Sequence, residues 1–174
     1  PTDVTWDLQG NIFVSDGYDN SRVAQFTKDG DFAKSIGSRG TAPDQFNTPH
    51  AITYDNKGLI YVADRGNNRI QVYDSDLNRK AIFSNVRAPW AVCVTPPNAK
   101  GEQFLYSADA GGKIYKLSLD GKLLGWFGSM GKKVGQFYWV HQMHCVSENE
   151  IITGEAQNWR VQRLTLKPTA ASTK

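Results

Sequence analysis

The chain has 174 residues and a formal net charge of +3, from 20 basic and 17 acidic side chains. That length suits one ordinary domain with a real core. A hydrophobic share of 40% and a charged share of 21% argue against disorder. No run approaches the 18 consecutive apolar residues of a membrane span, and the charges are too dispersed to require a nucleic-acid surface. Sixteen glycines beside five Trp, seven Tyr and eight Phe predict an all-β chain rich in turns. The chain opens at Pro1 with neither an initiator Met nor a signal-peptide pattern, which reads as a processed form or an excised piece.

In chain order, short apolar runs recur as predicted strands. The first group opens at Pro1-Thr2-Asp3-Val4, continues with Ile12-Phe13-Val14-Ser15-Asp16 and reaches Arg22-Val23-Ala24-Gln25-Phe26. The second opens at Pro49-His50-Ala51-Ile52, passes Ile60-Tyr61-Val62-Ala63-Asp64 and ends on Asn68-Arg69-Ile70-Gln71-Val72-Tyr73. The third opens at Pro89-Trp90-Ala91-Val92 and contains Phe104 to Asp109 and Lys113 to Leu117. The fourth opens at Val140-His141-Gln142-Met143 and contains Glu150 to Glu155 and Arg160 to Leu164. The second strand of each group is nearly continuous in apolar residues, as when both faces are covered, whereas the third alternates, with Ile70 and Val72 set against Arg69 and Gln71. Asp29-Gly30, Lys57-Gly58 and Asp120-Gly121 supply the turns. Repeats of roughly 40–50 residues with four strands each predict the blades of a β-propeller.

The repeat resembles the NHL repeat in its Pro-x-x-Val opening, its Ile-Tyr-Val-Ala-Asp centre and its Asn-Arg-Ile-Gln-Val-Tyr third strand. The resemblance implies a single all-β propeller domain over 1–168, with four NHL-like repeats at 1–47, 48–86, 87–137 and 138–168, followed by a flexible tail at 169–174. The ring is expected to be part of a six-bladed type, or open and completed by an oligomer. Each repeat carries an acid (Asp16, Asp64, Asp109, Glu155) and a base (Arg22, Arg69, Lys113, Arg160) a few residues apart, expected to pair across the turn between the second and third strands as a structural salt bridge.

One column stands out. The residue after each opening position reads Thr2, His50, Trp90, His141, at the start of the innermost strand beside the channel. Histidine thus falls on alternate blades, two and four. In a six-bladed ring, three such histidines would converge on the axis, and three imidazoles with an open fourth position make a catalytic zinc arrangement. The third histidine would belong to a blade upstream of residue 1. His144, three residues on, is expected to face another way.

A narrower resemblance rests on Val14-Ser15-Asp16-Gly17-Tyr18-Asp19-Asn20-Ser21-Arg22, on Gly37 through Gln45-Phe46-Asn47-Thr48-Pro49-His50 and on Val62-Ala63-Asp64-Arg65-Gly66-Asn67-Asn68-Arg69-Ile70-Gln71. These stretches resemble peptidyl-α-hydroxyglycine α-amidating lyase (peptidylamidoglycolate lyase), densely over residues 1–73 and thinly over 87–166. The resemblance implies zinc on His50 and His141, a catalytic Tyr18, an active-site Arg65, and a remaining zinc histidine and arginine before Pro1. It places Gln142 where the family uses an aspartate at a structural calcium, which puts that calcium in doubt. It implies a peptide or small N-acyl-hydroxyglycine-like substrate and a secreted or periplasmic setting, with neither membrane nor nucleic acid as partner. In such a site zinc would lower the pKa of the substrate hydroxyl, Arg65 would hold a carboxylate in bidentate fashion, and Tyr18 would serve as base only beside a cation.

Trp90 and Trp139 are weaker substrate-pocket candidates, with packing against a narrow channel as the alternative. Trp6, Trp126 and Trp159 read as inter-blade core. Cys93 and Cys145 read as buried free thiols rather than a pair. Two function classes remain open: a zinc-dependent lyase, or a non-catalytic NHL propeller that binds protein, peptide or RNA. A calcium-dependent propeller hydrolase would want Asp, Glu and Asn in the channel column, where His and Trp stand.

Overall fold

The computed structural model describes residues 1–167, so the tail expected at 169–174 lies outside the described residues. Fifteen strands form four antiparallel sheets arranged as consecutive blades. Blade one holds β1 (Asp3–Trp6), β2 (Ile12–Asp16), β3 (Arg22–Phe26) and β4 (Phe32–Ile36). Blade two holds β5 (Pro49–Tyr54), β6 (Ile60–Asp64), β7 (Arg69–Tyr73) and β8 (Arg79–Phe83). Blade three holds β9 (Pro89–Val94), β10 (Phe104–Asp109), β11 (Ile114–Ser118) and β12 (Leu123–Phe127). Blade four holds β13 (Val140–Ser147), β14 (Glu150–Glu155) and β15 (Arg160–Thr165). Strand order follows chain order within every blade, so the described residues form an all-β propeller of four blades.

The hairpins follow from side chains that imitate a turn's own hydrogen bonds. Asp7 accepts from the backbone N–H groups of Gln9 and Asn11. Asp55 does the same for Lys57 and Leu59, and Asn98 for Lys100 and Glu102. Each turn closes on a glycine at positive φ (Gly10, Gly58, Gly101), a conformation that costs other residues a Cβ clash.

Apolar burial lies between blades. Phe13, Val23, Phe46, Ile52, Val62 and Tyr73 join blades one and two. Tyr61, Ile70, Val72, Val92, Leu105 and Leu117 join two and three. Tyr106, Ile114, Phe137, Val140, Met143 and Ile151 join three and four. Three expectations fail here. Trp6, Trp126 and Trp159 are not core: they are 52%, 54% and 92% exposed. Trp6 ends β1 and Trp159 lies in the β14–β15 turn, while the Lys113 ammonium sits over Trp126 on β12, 3.7 Å from its ring. Lys113 therefore does not pair with Asp109, although Asp16–Arg22, Asp64–Arg69 and Glu155–Arg160 do form ion pairs. The alternation expected of β7 is also absent, since all five of its residues are buried, Arg69 and Gln71 included.

Cys93 and Cys145 are not free thiols. They form a disulfide between β9 and β13, with Cα atoms 5.7 Å apart, an ordinary span for the bond. The partners sit on different sheets, and β13 shifts register on both sides of Cys145, so their approach comes from the packing of two blades.

Candidate functional site

His50, Trp90 and His141 share a local cause for their orientation. Pro49 pairs with Asp64 and Ala51 with Ala63, so His50 is the extra residue of a β-bulge. Trp90 occupies the same place between Pro89–Asp109 and Ala91–Ala108, and His141 between Val140–Glu155 and Gln142–Gly154. A bulge frees one side chain from the alternation of its strand and re-aims it. All three rings turn to one point. The His50 and His141 rings lie 4.7 Å apart, Trp90 lies 5.0 Å from His50 and 5.8 Å from His141, and Trp139 stacks on Trp90 at 5.0 Å.

Tyr18 and Arg65 reach the same point from the turns after β2 and β6. The Tyr18 hydroxyl lies 3.2 Å from His50 Nε2. The Arg65 guanidinium covers the Trp90 ring at 4.3 Å and the Tyr18 ring at 5.5 Å. Both turns are wedged against the linker that carries His50. A Cβ on Gly17 would stand 2.1 Å from the Pro49 carbonyl oxygen, and one on Gly66 would stand 2.5 Å from Asn47. The Arg65 and Gly66 N–H groups donate to the carbonyls of Thr48 and Asn47. Thus all six residues singled out in the sequence, Tyr18, His50, Arg65, Trp90, Trp139 and His141, meet at one mouth of the channel.

His50 is 2% exposed, and its Nδ1 lies 2.6 Å from the Trp90 carbonyl oxygen. A carbonyl only accepts, so Nδ1 carries the proton, and the Nε2 lone pair faces the channel and takes the Tyr18 hydroxyl. Burial pushes the His50 pKa down to about 4, with Arg65 and His141 acting in the same direction. At neutral pH the ring is uncharged with one nitrogen fixed by a backbone acceptor, the state of a metal-ligating imidazole. His141 is exposed. The two imidazoles suit zinc as a pair of donors, although no group of three His, Cys, Asp or Glu residues poised for a metal occurs among the described residues. Arg65 Nη1 is buried without a hydrogen-bond partner, a donor suited to an anion in the mouth.

His144 lies apart, lining the opposite end of the channel with Asp3, Gln142 and the disulfide in a cavity of about 410 Å³. There the Gln142 amide donates to Asp3 Oδ1 at 3.1 Å, and Asp3 Oδ2 accepts the Ile52 N–H.

The sequence reading missed a duplicated linker. Gly37-Ser38-x-Gly40 to Gln45-Phe46 and His50 is matched, 91 residues later, by Gly128-Ser129-x-Gly131 to Gln136-Phe137 and His141. The two linkers fold alike. The Phe46 and Phe137 N–H groups donate to Ser38 and Ser129, the Gly40 and Gly131 N–H groups donate back, and both Phe rings are fully buried. The linker between β8 and β9 has only five residues and no counterpart of these contacts among the described residues.

The fold and this site define a β-propeller with an imidazole–phenol–guanidinium cluster at one channel mouth. Residues 46–73 match the family model of the NHL repeat. The chain is 40% identical over 78 residues to human NHL repeat-containing protein 3, covering 44% of this chain and 22% of that protein. It is 43% identical over 82 residues to peptidyl-glycine alpha-amidating monooxygenase A of Xenopus laevis (44% and 9%), and 36% identical over 81 residues to a probable peptidyl-alpha-hydroxyglycine alpha-amidating lyase of Caenorhabditis elegans (45% and 23%). The aligned stretch spans less than a quarter of each relative's own length. Among solved structures, the RRP9 WD40 repeats superpose with a TM-score of 0.72 at 13% identity, over 94% of this chain and 50% of that one, a likeness of fold alone.

Proposed function

We propose that this propeller is a zinc-dependent lyase of the peptide α-amidating type, which cleaves a peptidyl-α-hydroxyglycine to peptide amide and glyoxylate. The observation that carries the reading is the single cluster of His50, His141, Tyr18 and Arg65, with His50 Nε2 facing the mouth, where a bound metal would take the lone pair that the Tyr18 hydroxyl, 3.2 Å away, otherwise engages. His50 and His141 would hold the metal, which when bound supplies a Lewis acid for the substrate oxygen. Arg65 binds the substrate carboxylate through its unpartnered Nη1. Tyr18, beside that cation, accepts the proton of the carbinol hydroxyl. The O–H electrons become the new C=O bond, the C–N bond breaks, and its electron pair takes a proton on nitrogen to give the amide. The stacked Trp90 and Trp139 form an apolar wall for the peptide side of the substrate. The Cys93–Cys145 bridge suits folding in an oxidising compartment.

The test combines metal analysis with a glyoxylate assay on an N-acyl-α-hydroxyglycine. Bound zinc and glyoxylate release, both lost in His50→Ala, support the lyase. Neither zinc nor glyoxylate from the well-folded protein refutes it. The second reading, a non-catalytic NHL module binding protein, peptide or RNA, draws on the likeness to NHL repeat-containing protein 3 and on the two-donor histidine set. It predicts binding through the same mouth that His50→Ala leaves intact.

A further inference from the structure

The three ion pairs that join β2 to β3, β6 to β7 and β14 to β15 differ in what else they hold. In blade one, Arg22 bonds to Asp16. In blade two, Arg69 Nε bonds to Asp64 at 2.7 Å, and its two Nη atoms donate to the carbonyls of Thr41, Ala42 and Gln45 at 2.8 Å each. Those three residues belong to the linker that delivers His50. In blade four, Arg160 Nε bonds to Glu155 at 2.7 Å, and its Nη atoms donate to Lys132, Lys133 and Gln136 at 2.5, 3.2 and 2.6 Å. Those residues belong to the linker that delivers His141.

Three supporting contacts are duplicated as well. Gln71 and Gln162 donate to the Gln45 and Gln136 carbonyls and accept the N–H groups of Asp44 and Gly135. Asn67 and Asn158 donate to the Gly40 and Gly131 carbonyls. Asp64 and Glu155 accept the N–H groups of Asn47 and Tyr138, each three residues before its histidine. A planar guanidinium presents five donors in a rigid fork spread over three nitrogens, so it spans a carboxylate and several carbonyls, whereas a lysine has three donors on a single atom.

We propose that Arg69 and Arg160 are positioning residues, each clamping a twelve-residue linker to its blade so that His50 and His141 meet at the channel mouth. The inference rests on reading the two imidazoles as working groups, and it assigns these arginines a task that Arg22 lacks. It also accounts for the burial of Arg69 and Gln71 on a strand whose sequence alternates: both reach across the strand end into the linker rather than into solvent.

The experiment follows the imidazole NMR signals of the apo protein, with zinc titration alongside. The chain has three histidines, and His144, outside both linkers, is the internal reference. Arg160→Met should shift or broaden the His141 signals, leave His144 unmoved and weaken zinc binding by about 10- to 100-fold. Arg160→Lys should recover part of the melting temperature by restoring the ion pair, without restoring the His141 signals. Gln162→Leu, a milder change that keeps the ion pair, should move the same signals if Arg160→Met does not fold. Arg22→Met should lower the melting temperature and move none of the three rings. Unmoved His141 signals in a folded Arg160 or Gln162 variant overturn the proposal, as does an equal response to Arg22→Met. Ring signals that respond in a protein that binds no zinc uphold the clamp while sinking the zinc reading.

Discussion

Cys93 and Cys145 close a loop with a sequence separation of 52 residues. Cross-linking a loop of that size removes about 14 cal/mol/K from the entropy of the unfolded chain, or about 4 kcal/mol at 25 °C. Both residues are buried, at 6% and 3% exposure, so the bridge sits inside the packed layer between blades three and four and removing it gains no solvation there. The double variant Cys93→Ala/Cys145→Ala, with two small apolar side chains in place of the sulfurs, should be less stable by about 3–5 kcal/mol. For a chain of this length that corresponds to a fall in Tm of about 6–20 °C. Urea unfolding of wild type with and without reductant, beside the double variant, measures it. Reduced wild type should approach the variant, and oxidised wild type should release no thiol to an aromatic disulfide reagent even when denatured. Two titratable thiols in the unreduced protein, or a destabilisation below about 1 kcal/mol, would refute the reasoning.

Gly17→Ala should displace the turn that carries Tyr18, because the new Cβ lies 2.1 Å from the Pro49 oxygen. The expected cost is about 1–3 kcal/mol, with a change in the His50 Nε2 chemical shift; an unchanged shift would count against the Tyr18–His50 contact. Arg65→Met should lower the unfolding free energy by no more than about 2 kcal/mol, since Nη1 has no protein partner to lose and the change forfeits only the cation–π contacts with Trp90 and Tyr18. It should raise KM for a carboxylate-bearing substrate more than for its methyl ester, and equal effects on both would disprove the carboxylate role. Burial tends to raise the Glu155 carboxyl, but hydrogen bonds from Arg160, the Tyr138 N–H, Asn158 and Gln162 outweigh it and hold it below the ordinary carboxylate range. A carboxyl depressed in the folded state contributes stability above its unfolded pKa of about 4.5 and loses it as pH falls below that value. His50, depressed by burial from 6.5 to about 4, adds to the same trend: between those values the unfolded chain binds the extra proton, and stability drops by at most about 3 kcal/mol. His50→Gln should flatten the stability curve between pH 6.5 and 4, and a curve parallel to wild type would contradict this.

Blade architecture was legible because it repeats. Ile60 to Asp64 and Arg69 to Tyr73 have counterparts at every 40–51 residues, and a pattern stated four times survives local noise. The meeting of His50 and His141 was legible for a related reason, that equivalent positions of a repeat point to equivalent places in a ring. The means by which they meet was not, because a bulge is a property of the pairing between two strands and leaves no mark in either sequence alone. The duplicated linker was present in the letters, as Gly-Ser-x-Gly and Gln-Phe at fixed distance from each histidine, but at twice the blade period. Trp6 and Trp159 were misplaced because an apolar side chain shows a preference for a neighbour without showing that one packs there. Cys93 and Cys145 were misjudged because their proximity arises from the packing of two blades, which no spacing within a strand encodes.

The spacing of 91 residues between the linkers has a geometric corollary. Blades two and four each receive a long entry segment ending in an imidazole, whereas blade three receives a five-residue connection ending in an indole. From blade two to blade four the wall therefore changes chemical character at each step, a donor nitrogen, then a flat indole surface, then a donor nitrogen again, so a ligand seated there meets a polar contact on either side of an apolar one.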